Sequence, residues 1–479
     1  MRREANEQSE IMKPTANSNT EPAAFEESKR EAKRILERMT KETPWKAILL
    51  FSIPVFLGNL IQQFYSMADT MIVGRYLGVL PLAGVGSTSS MNFLVIGFAT
   101  GLTGGFSVVT AQRAGQGDWE KVRLSVASSI GLSAIISFAI TALSVALTEP
   151  ILHAMHTPDD IFVYARDYIR LIYLGLSATV FYNLGAGMLR AIGDSRTPLY
   201  FLIFSSILNI ILDLVAILWM HLGVAGAAGA TVVSQLISAA LCYVYSFSVY
   251  PQLKPSGRHF HKLGVEAWEH LRIGLPMALQ FSVTAIGIMI LQSYLNAFGA
   301  LVIAGYTAAS KVESLVTQPF IALSMTMEVY CGQNFGAGDF SRVRRGIRAS
   351  IGIGMLCVAL ASFLNVVFGR QMVSLFLNAY DREVVEYGYS YLIVIAIFFF
   401  LLCSLQIMRS SLQGMGEATV PMTGGVLELI ARWGGCALMA APFGYVGVSL
   451  STPLAWGLAL SILLVRYAML VRAHRAEKA

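Results

Sequence analysis

Runs of apolar residues close to twenty long recur along the chain, each closed by a short polar stretch. A bilayer core about 30 Å thick takes roughly 20 residues of helix to cross, so runs of this length predict membrane-spanning helices. Twelve spans are expected, near 47–73, 88–110, 124–147, 168–189, 198–219, 224–249, 273–296, 303–331, 349–368, 388–408, 420–441 and 447–470. Residues 1–46 are charged, with mixed signs, and contain no apolar signal-peptide core. They read as a cytoplasmic tail, in which 26–39 fits either a helix on the membrane surface or a solvated segment. Residues 471–479 form a second cytoplasmic tail.

Polar positions between the spans set the orientation. Loops after even-numbered spans hold fourteen Lys or Arg, among them Arg113, Arg123, Lys262 and Arg344. Loops after odd-numbered spans hold five: Arg75, Arg166, Arg170, Arg370 and Arg382. The bias places both termini in the cytoplasm of a multi-pass protein of the cell membrane.

The pattern also repeats at about 221 residues. Residues 112–123 read QRAGQGDWEKVR and 333–344 read QNFGAGDFSRVR, with six of twelve positions identical. Pro54 pairs with Pro276, Tyr168 with Tyr389, Gly193 with Gly416, Pro198 with Pro421, Gly223 with Gly444, and Gly226 with Gly447. The chain therefore divides into an N-terminal lobe, 47–250 (spans 1–6), and a C-terminal lobe, 273–470 (spans 7–12), joined by a basic linker at 251–272. An even number of spans per lobe gives both the same topology, related by an axis along the membrane normal with a central cleft between them. The fold class expected is an all-α integral membrane protein of two pseudo-symmetric six-helix lobes, an architecture of alternating-access carriers.

Composition agrees and excludes alternatives. Of 479 residues 55% are hydrophobic and 13% charged, with a mean hydropathy of +0.60, against roughly 25% charged in soluble domains. The net charge of +6 belongs to the cytoplasmic loops and implies no nucleic-acid partner. Five scattered cysteines form neither a disulfide framework nor a metal pattern. No P-loop, H-E-x-x-H or nucleophile-elbow sequence is present, so neither an enzyme nor a cofactor is expected.

Few acids lie inside apolar runs: Asp69, Asp213, Glu313, Glu328 and Glu428. Residues 205–219, SSILNIILDLVAILW, place Asn209 and Asp213 one turn apart on one helix face. An ionised Asp facing lipid at mid-membrane costs roughly 2.5 to 3.5 kcal/mol, so Asp213 needs a partner, water or an ion. Counting from the span ends puts Asp213 about two turns, roughly 10 Å, below the outer surface. Thr231 of span 6 lies at similar depth and Asp69 of span 1 slightly shallower, although Asp69 also fits a helix-end position. Together Asp69, Asn209, Asp213 and Thr231 make a candidate cation or proton site with charged and neutral oxygens. At the repeat-related positions stand Ile290 or Leu291, Ile430 or Ala431, Gly434 or Gly435, and Thr452. Loss of both acids from the second lobe favours function over folding in the first. Glu428 and Arg432, four apart on span 11, suit a helix ion pair, while Glu313 and Glu328 read as structural or interfacial. Pro54 favours a kink in span 1. Gln62, on the face of Asp69, and Asn183 of span 4 either line a substrate path or bond a neighbouring helix.

These marks resemble the multidrug and toxic compound extrusion (MATE) family along residues 45–470. They are Pro54, Gln62, Asp69 and Thr70 in span 1, the paired Q-x-x-G-x-G-D loops, and Asn209 and Asp213 followed by GVAGAAGAT at 223–231. The resemblance implies twelve helices in a V-shaped pair of lobes, exporting cationic or amphipathic compounds in exchange for protons or sodium ions. It assigns the coupling cation to Asp69, Asn209, Asp213 and Thr231, and gating or cleft roles to Pro54, Gln62 and Asn183. Some branches carry a span 7 Glu. This chain has Gln280 and Gln292 there, which speaks against a second cation site. The expected partners are small cationic molecules and the lipid bilayer, with the protein a monomer and no metal beyond a coupling sodium. The alternative is a flippase-like exporter of lipid-linked or other endogenous substrates, which would need a strongly cationic cleft.

Overall fold

The computed structural model describes residues 34–377 and 381–476. Helix is present from residue 34 to 41, overlapping the end of the stretch 26–39 that fits either a surface helix or a solvated segment. The earlier part of that segment, and 477–479 of the second tail, lie outside the described residues. Every regular element among the described residues is helical.

Eight helices are long and apolar enough to cross a membrane, and ten if each of two bent pairs is counted as one span. Two further facts bring the count to the expected twelve. The helix Thr419–Ala476 is two spans meeting at Gly444, where φ 55° and ψ −137° break the helical path. Span 8 is a broken pair, Ala300–Val316 and Gln318–Gly336. The remaining spans are Pro44–Leu77 (1), Val79–Ser87 with Ser89–Gln116 (2), Trp119–Ala154 (3), Asp159–Leu174 with Leu176–Ala191 (4), Arg196–Leu214 (5), Gly223–Val249 (6), Leu263–Asn296 (7), Phe340–Ser374 (9) and Arg382–Ile397 with Phe399–Gly414 (10). Bends of 48° in span 4 and 57° in span 10 fall at matching places.

The repeat is structural. All eight glycines with positive φ among the described residues fall into four pairs at 221 to 223 residues: Gly78 and Gly299, Gly117 and Gly338, Gly193 and Gly416, Gly223 and Gly444. Each pair marks the same inter-helix turn in the two lobes, where only glycine adopts the required backbone cheaply. Asp118 and Asp339 then cap spans 3 and 9 by accepting the backbone N–H of Lys121 (3.1 Å) and Arg342 (2.9 Å). The cap hydrogen bond holds the Asp118 carboxyl below its ordinary range.

Each lobe lends its first helix to the other. Ala47, Ile48, Phe51 and Val55 of span 1 sit in the C-terminal lobe's core with Phe320, Leu323 and Phe399. Conversely, Ile273 and Met277 of span 7 pack on Val108 and Val109 of span 2. Gly101, Gly105 and Gly274 leave no room for a side chain where spans 2 and 7 cross, the close approach that small residues allow between membrane helices. Ile135, Phe138, Leu356 and Leu360 point outward, exposed, where lipid rather than water is the matching solvent.

The lobes meet at the end that carries the Lys- and Arg-rich loops, here called the basic end. His270, expected in a loop, lies inside span 7. It is fully buried, with its Nε2 3.0 Å from Ser125 Oγ and its Nδ1 2.9 Å from the Glu266 carbonyl. His259 instead faces Glu120 at 3.1 Å.

Candidate functional site

Span 5 ends in an irregularity that helps set the site. Residues Val215–Trp219 form a π-helical turn that begins two residues after Asp213. Such turns widen a helix locally and are frequent where a side chain must be re-aimed. Span 6 then packs closely on this turn, because Gly226 faces the Ala216 Cβ with a gap of only 3.0 Å for a methyl. The small residues of 223–231 thus bring Thr231 toward span 5.

Four predicted residues converge here. Asp213 and Asn209 are fully buried, and the half-buried Asp69 carboxyl of span 1 is close enough to Asp213 for the two to interact. Asn209 is best satisfied with its amide turned so that Nδ2 donates to Asp213 Oδ2 at 2.9 Å and its oxygen accepts from the Thr231 N–H at 3.1 Å. In the opposite amide orientation Nδ2 donates to Thr231 Oγ1 at 3.3 Å. One oxygen of each carboxyl, Oδ1 of Asp69 and Oδ1 of Asp213, is buried without a protein partner. Two facing carboxylates in a low-dielectric interior repel unless they share a proton or hold a cation between them. The remaining donors are neutral oxygens, a set that suits a proton or a hard cation such as sodium.

Sequence reasoning missed the aromatic side of the site. The Tyr65 hydroxyl lies 3.5 Å from Thr231 Oγ1, and Tyr168 of span 4 is buried in the neighbourhood of both acids. Tyr65 stands four residues before Asp69, so it shares that helix face; that spacing was the available signal.

The other predicted residues lie apart. Asn183 donates to Thr100 Oγ1 at 3.2 Å, tying span 4 to span 2. Gln62 is exposed on span 1. Pro54 sits inside the unbroken helix Pro44–Leu77, where its ring removes one backbone donor.

The matching region of the C-terminal lobe is filled differently. Glu428 receives Arg432 Nη2 at 2.9 Å and Arg409 Nη2 at 2.8 Å, and all three are buried. The Arg432 guanidinium lies against Gly287 of span 7, where a methyl would come within 2.9 Å of it. Glu313 accepts the Tyr391 hydroxyl at 2.8 Å, and Gln413 donates to Gln280 at 2.9 Å. Where the first lobe opposes two carboxyls, the second holds a tethered cation. Among the described residues no group of three or more His, Cys, Asp or Glu could hold a metal ion.

Residues 54–215 and 276–432 match the family model MatE. A relative in Bacillus subtilis (strain 168), named a probable multidrug resistance protein, YoeA, is 28% identical over 84% of this chain and 87% of its own length. A protein of Thermotoga maritima with the same description, NorM, is 26% identical over 81% of this chain and 83% of its own. Among solved structures, a crystal structure titled as MATE in complex with MaL6 superposes with a TM-score of 0.84 at 25% identity, covering 92% of this chain and 99% of that one.

Proposed function

Because the chain belongs to the MatE family, we propose that it is a secondary active exporter that exchanges protons or sodium ions for cationic or amphipathic drugs by alternating access. The observation that carries the reading is the facing pair Asp69 and Asp213, held with Asn209, Thr231 and Tyr65 inside an apolar lobe. In this reading the basic end and both termini face the cytoplasm of the cell membrane, and the protein works as a monomer. A cation reaching Asp69 and Asp213 from outside neutralises the pair. Span 1, which carries Asp69 in one lobe and packs into the other through its opposite half, transmits that change to the cleft. Pro54, with one backbone bond missing, gives span 1 a place to bend, and Gln62 and Asn183 flank the drug path.

Asp213→Asn tests this directly. The variant keeps the side-chain volume and removes the charge that the cation must meet. Reconstituted into proteoliposomes with a fluorescent cation, it should fold, bind drug and lose gradient-driven export, with sodium and pH varied in separate arms to identify the ion. Export at the parent rate by this variant would sink the coupling assignment.

A further inference from the structure

Both copies of Q-x-x-G-x-G-D lie where the lobes meet, and their contacts are reciprocal. Gln112 of span 2 donates Nε2 to the carbonyl of Gly414, the last residue of span 10, at 2.8 Å. Gln333 of span 8 donates Nε2 to the carbonyl of Ala191, the last residue of span 4, at 2.7 Å. Each glutamine thus crosses to the opposite lobe and satisfies one of the carbonyls that a helix C-terminus leaves unpaired. The first glycines make the approach possible: a methyl on Gly115 would overlap the Gln333 carbonyl, and one on Gly336 would overlap the Gln112 carbonyl. The motif's second glycine and Asp only turn and cap the next helix. Its Gln and first Gly therefore serve the contact between lobes.

A third strand of chain lies over this junction. The helical segment 34–41 buries Met39 in the C-terminal lobe's core, packs Leu36 on the N-terminal lobe's core, and sets the Ile35 carbonyl against Gly193. It is held by the residues that follow and flank Gln333. Asn334 Nδ2 donates to the Met39 carbonyl at 3.0 Å, and Arg342 Nη2 donates to the carbonyls of Met39 at 3.1 Å and Glu42 at 2.6 Å. Arg342 Nε in turn donates to Asn334 Oδ1 at 2.8 Å. At the positions related to Asn334 and Arg342 the first repeat has Arg113 and Lys121, so the strap is carried by one copy only.

We propose that the paired glutamines are a two-part latch closing the basic end, and that segment 34–42 is the bolt holding that latch shut. Opening toward the basic end then requires both Gln bonds to break together and the bolt to lift from at least one lobe. The proposal rests on the alternating-access reading above.

The test uses the full-length protein with its five cysteines replaced by alanine and a reporter, Gly104→Cys, placed in span 2. Gly104 faces Met277 of span 7 across the lobe junction, with ordinary contact space for a side chain. It lies eleven residues, roughly 16 Å, inward of Gly115. A membrane-impermeant maleimide is added to inside-out vesicles, and the labelling rate is followed for Gln112→Ala/Gln333→Ala and, separately, for Arg342→Ala. Loss of both hydrogen bonds should raise labelling by roughly tenfold or more. The Arg342 variant should raise it severalfold. Gln112→Met/Gln333→Met keeps both side-chain volumes without adding a charge and removes the donors, so it should give the same rise with thermal melting close to the parent. Unchanged labelling in these variants overturns the proposal, as does a rise confined to variants whose melting collapses. The readout needs neither drug nor coupling ion, so a misassigned coupling site would leave it unaltered.

Discussion

Glu428 accepts from two buried guanidiniums at once, and that single carboxylate is what makes their burial tolerable. Removing one partner of a buried ion pair costs about 3 to 5 kcal/mol, because the charge left behind has neither water nor a counter-ion. Glu428→Ala should therefore lower the thermal melting temperature sharply in detergent, while Arg409→Met, which leaves Glu428 its bond to Arg432, should do much less. Equal melting for the two would refute the pairing argument. The same triad bears on the flippase-like alternative, since two of the deep cations that reading would need, Arg409 and Arg432, are tied to Glu428 rather than offered to a substrate, while Lys311 is not. On the other lobe, Tyr65→Phe removes only the hydroxyl facing Thr231. It should weaken the apparent ion affinity by up to about tenfold, the scale of one hydrogen bond, and leave the maximal exchange rate near the parent value. An unchanged ion dependence would place Tyr65 outside the site. At this scale the sequence was readable where chemistry is rare. An acid or amide in hydrocarbon stands out, so Asp69, Asn209, Asp213 and Thr231 could be matched by depth. A tyrosine in a membrane helix is ordinary, and Tyr65 and Tyr168 carried no such flag.

Span 5 shows how element-level irregularity serves those residues. The π turn at Val215–Trp219 begins two residues after Asp213, and Gly226 lets span 6 lie against it. Gly226→Val puts two methyls where even one meets Ala216 and Leu222 at 3.0 and 3.1 Å. Span 6 must shift outward, carrying Thr231 from Asn209, so the variant should lose ion-coupled export more than drug binding when both are measured on the same proteoliposomes. Loss of both to the same extent would point to general misfolding instead. Element boundaries were the least legible part of the sequence, for identifiable reasons. Residues 79–87 form the first section of span 2 although Pro81, Gly84 and Gly86 make that stretch look like a loop. Proline is tolerated there because the third residue of a helix has no intrahelical N–H bond to lose. Span 4 begins at Asp159, nine residues before the expected start. Its first nine residues carry Asp159, Asp160, Arg166 and Asp167 beside Ile161, Phe162 and Tyr164, an amphipathic pattern that a search for continuous apolar runs passes over.

The whole molecule is one six-helix design used twice and then specialised. The paired glycine turns, matching bends in spans 4 and 10 and reciprocal loan of spans 1 and 7 preserve the design, which is why a 221-residue register could be read from the chain. The specialisation is one of charge: facing carboxyls in the first lobe, a tethered cation in the second. It was half legible: the absence of acids at the repeat-related positions and the Glu428–Arg432 pair beside them could be seen, but the second guanidinium, Arg409, comes from span 10. One-for-one exchange at the proposed site would set a definite energetic ceiling. A single positive charge moving inward across 100 mV releases about 2.3 kcal/mol, enough for roughly fifty-fold accumulation of a neutral drug at one-to-one exchange. Proteoliposomes with an imposed potassium-diffusion potential of that size should approach this ratio and not exceed it. Collapsing both the potential and the ion gradient should return the ratio to one, while exchange of labelled for unlabelled drug continues, because exchange needs the gate but no net driving force. Accumulation that survives with every gradient dissipated would show an energy source other than the coupling ion.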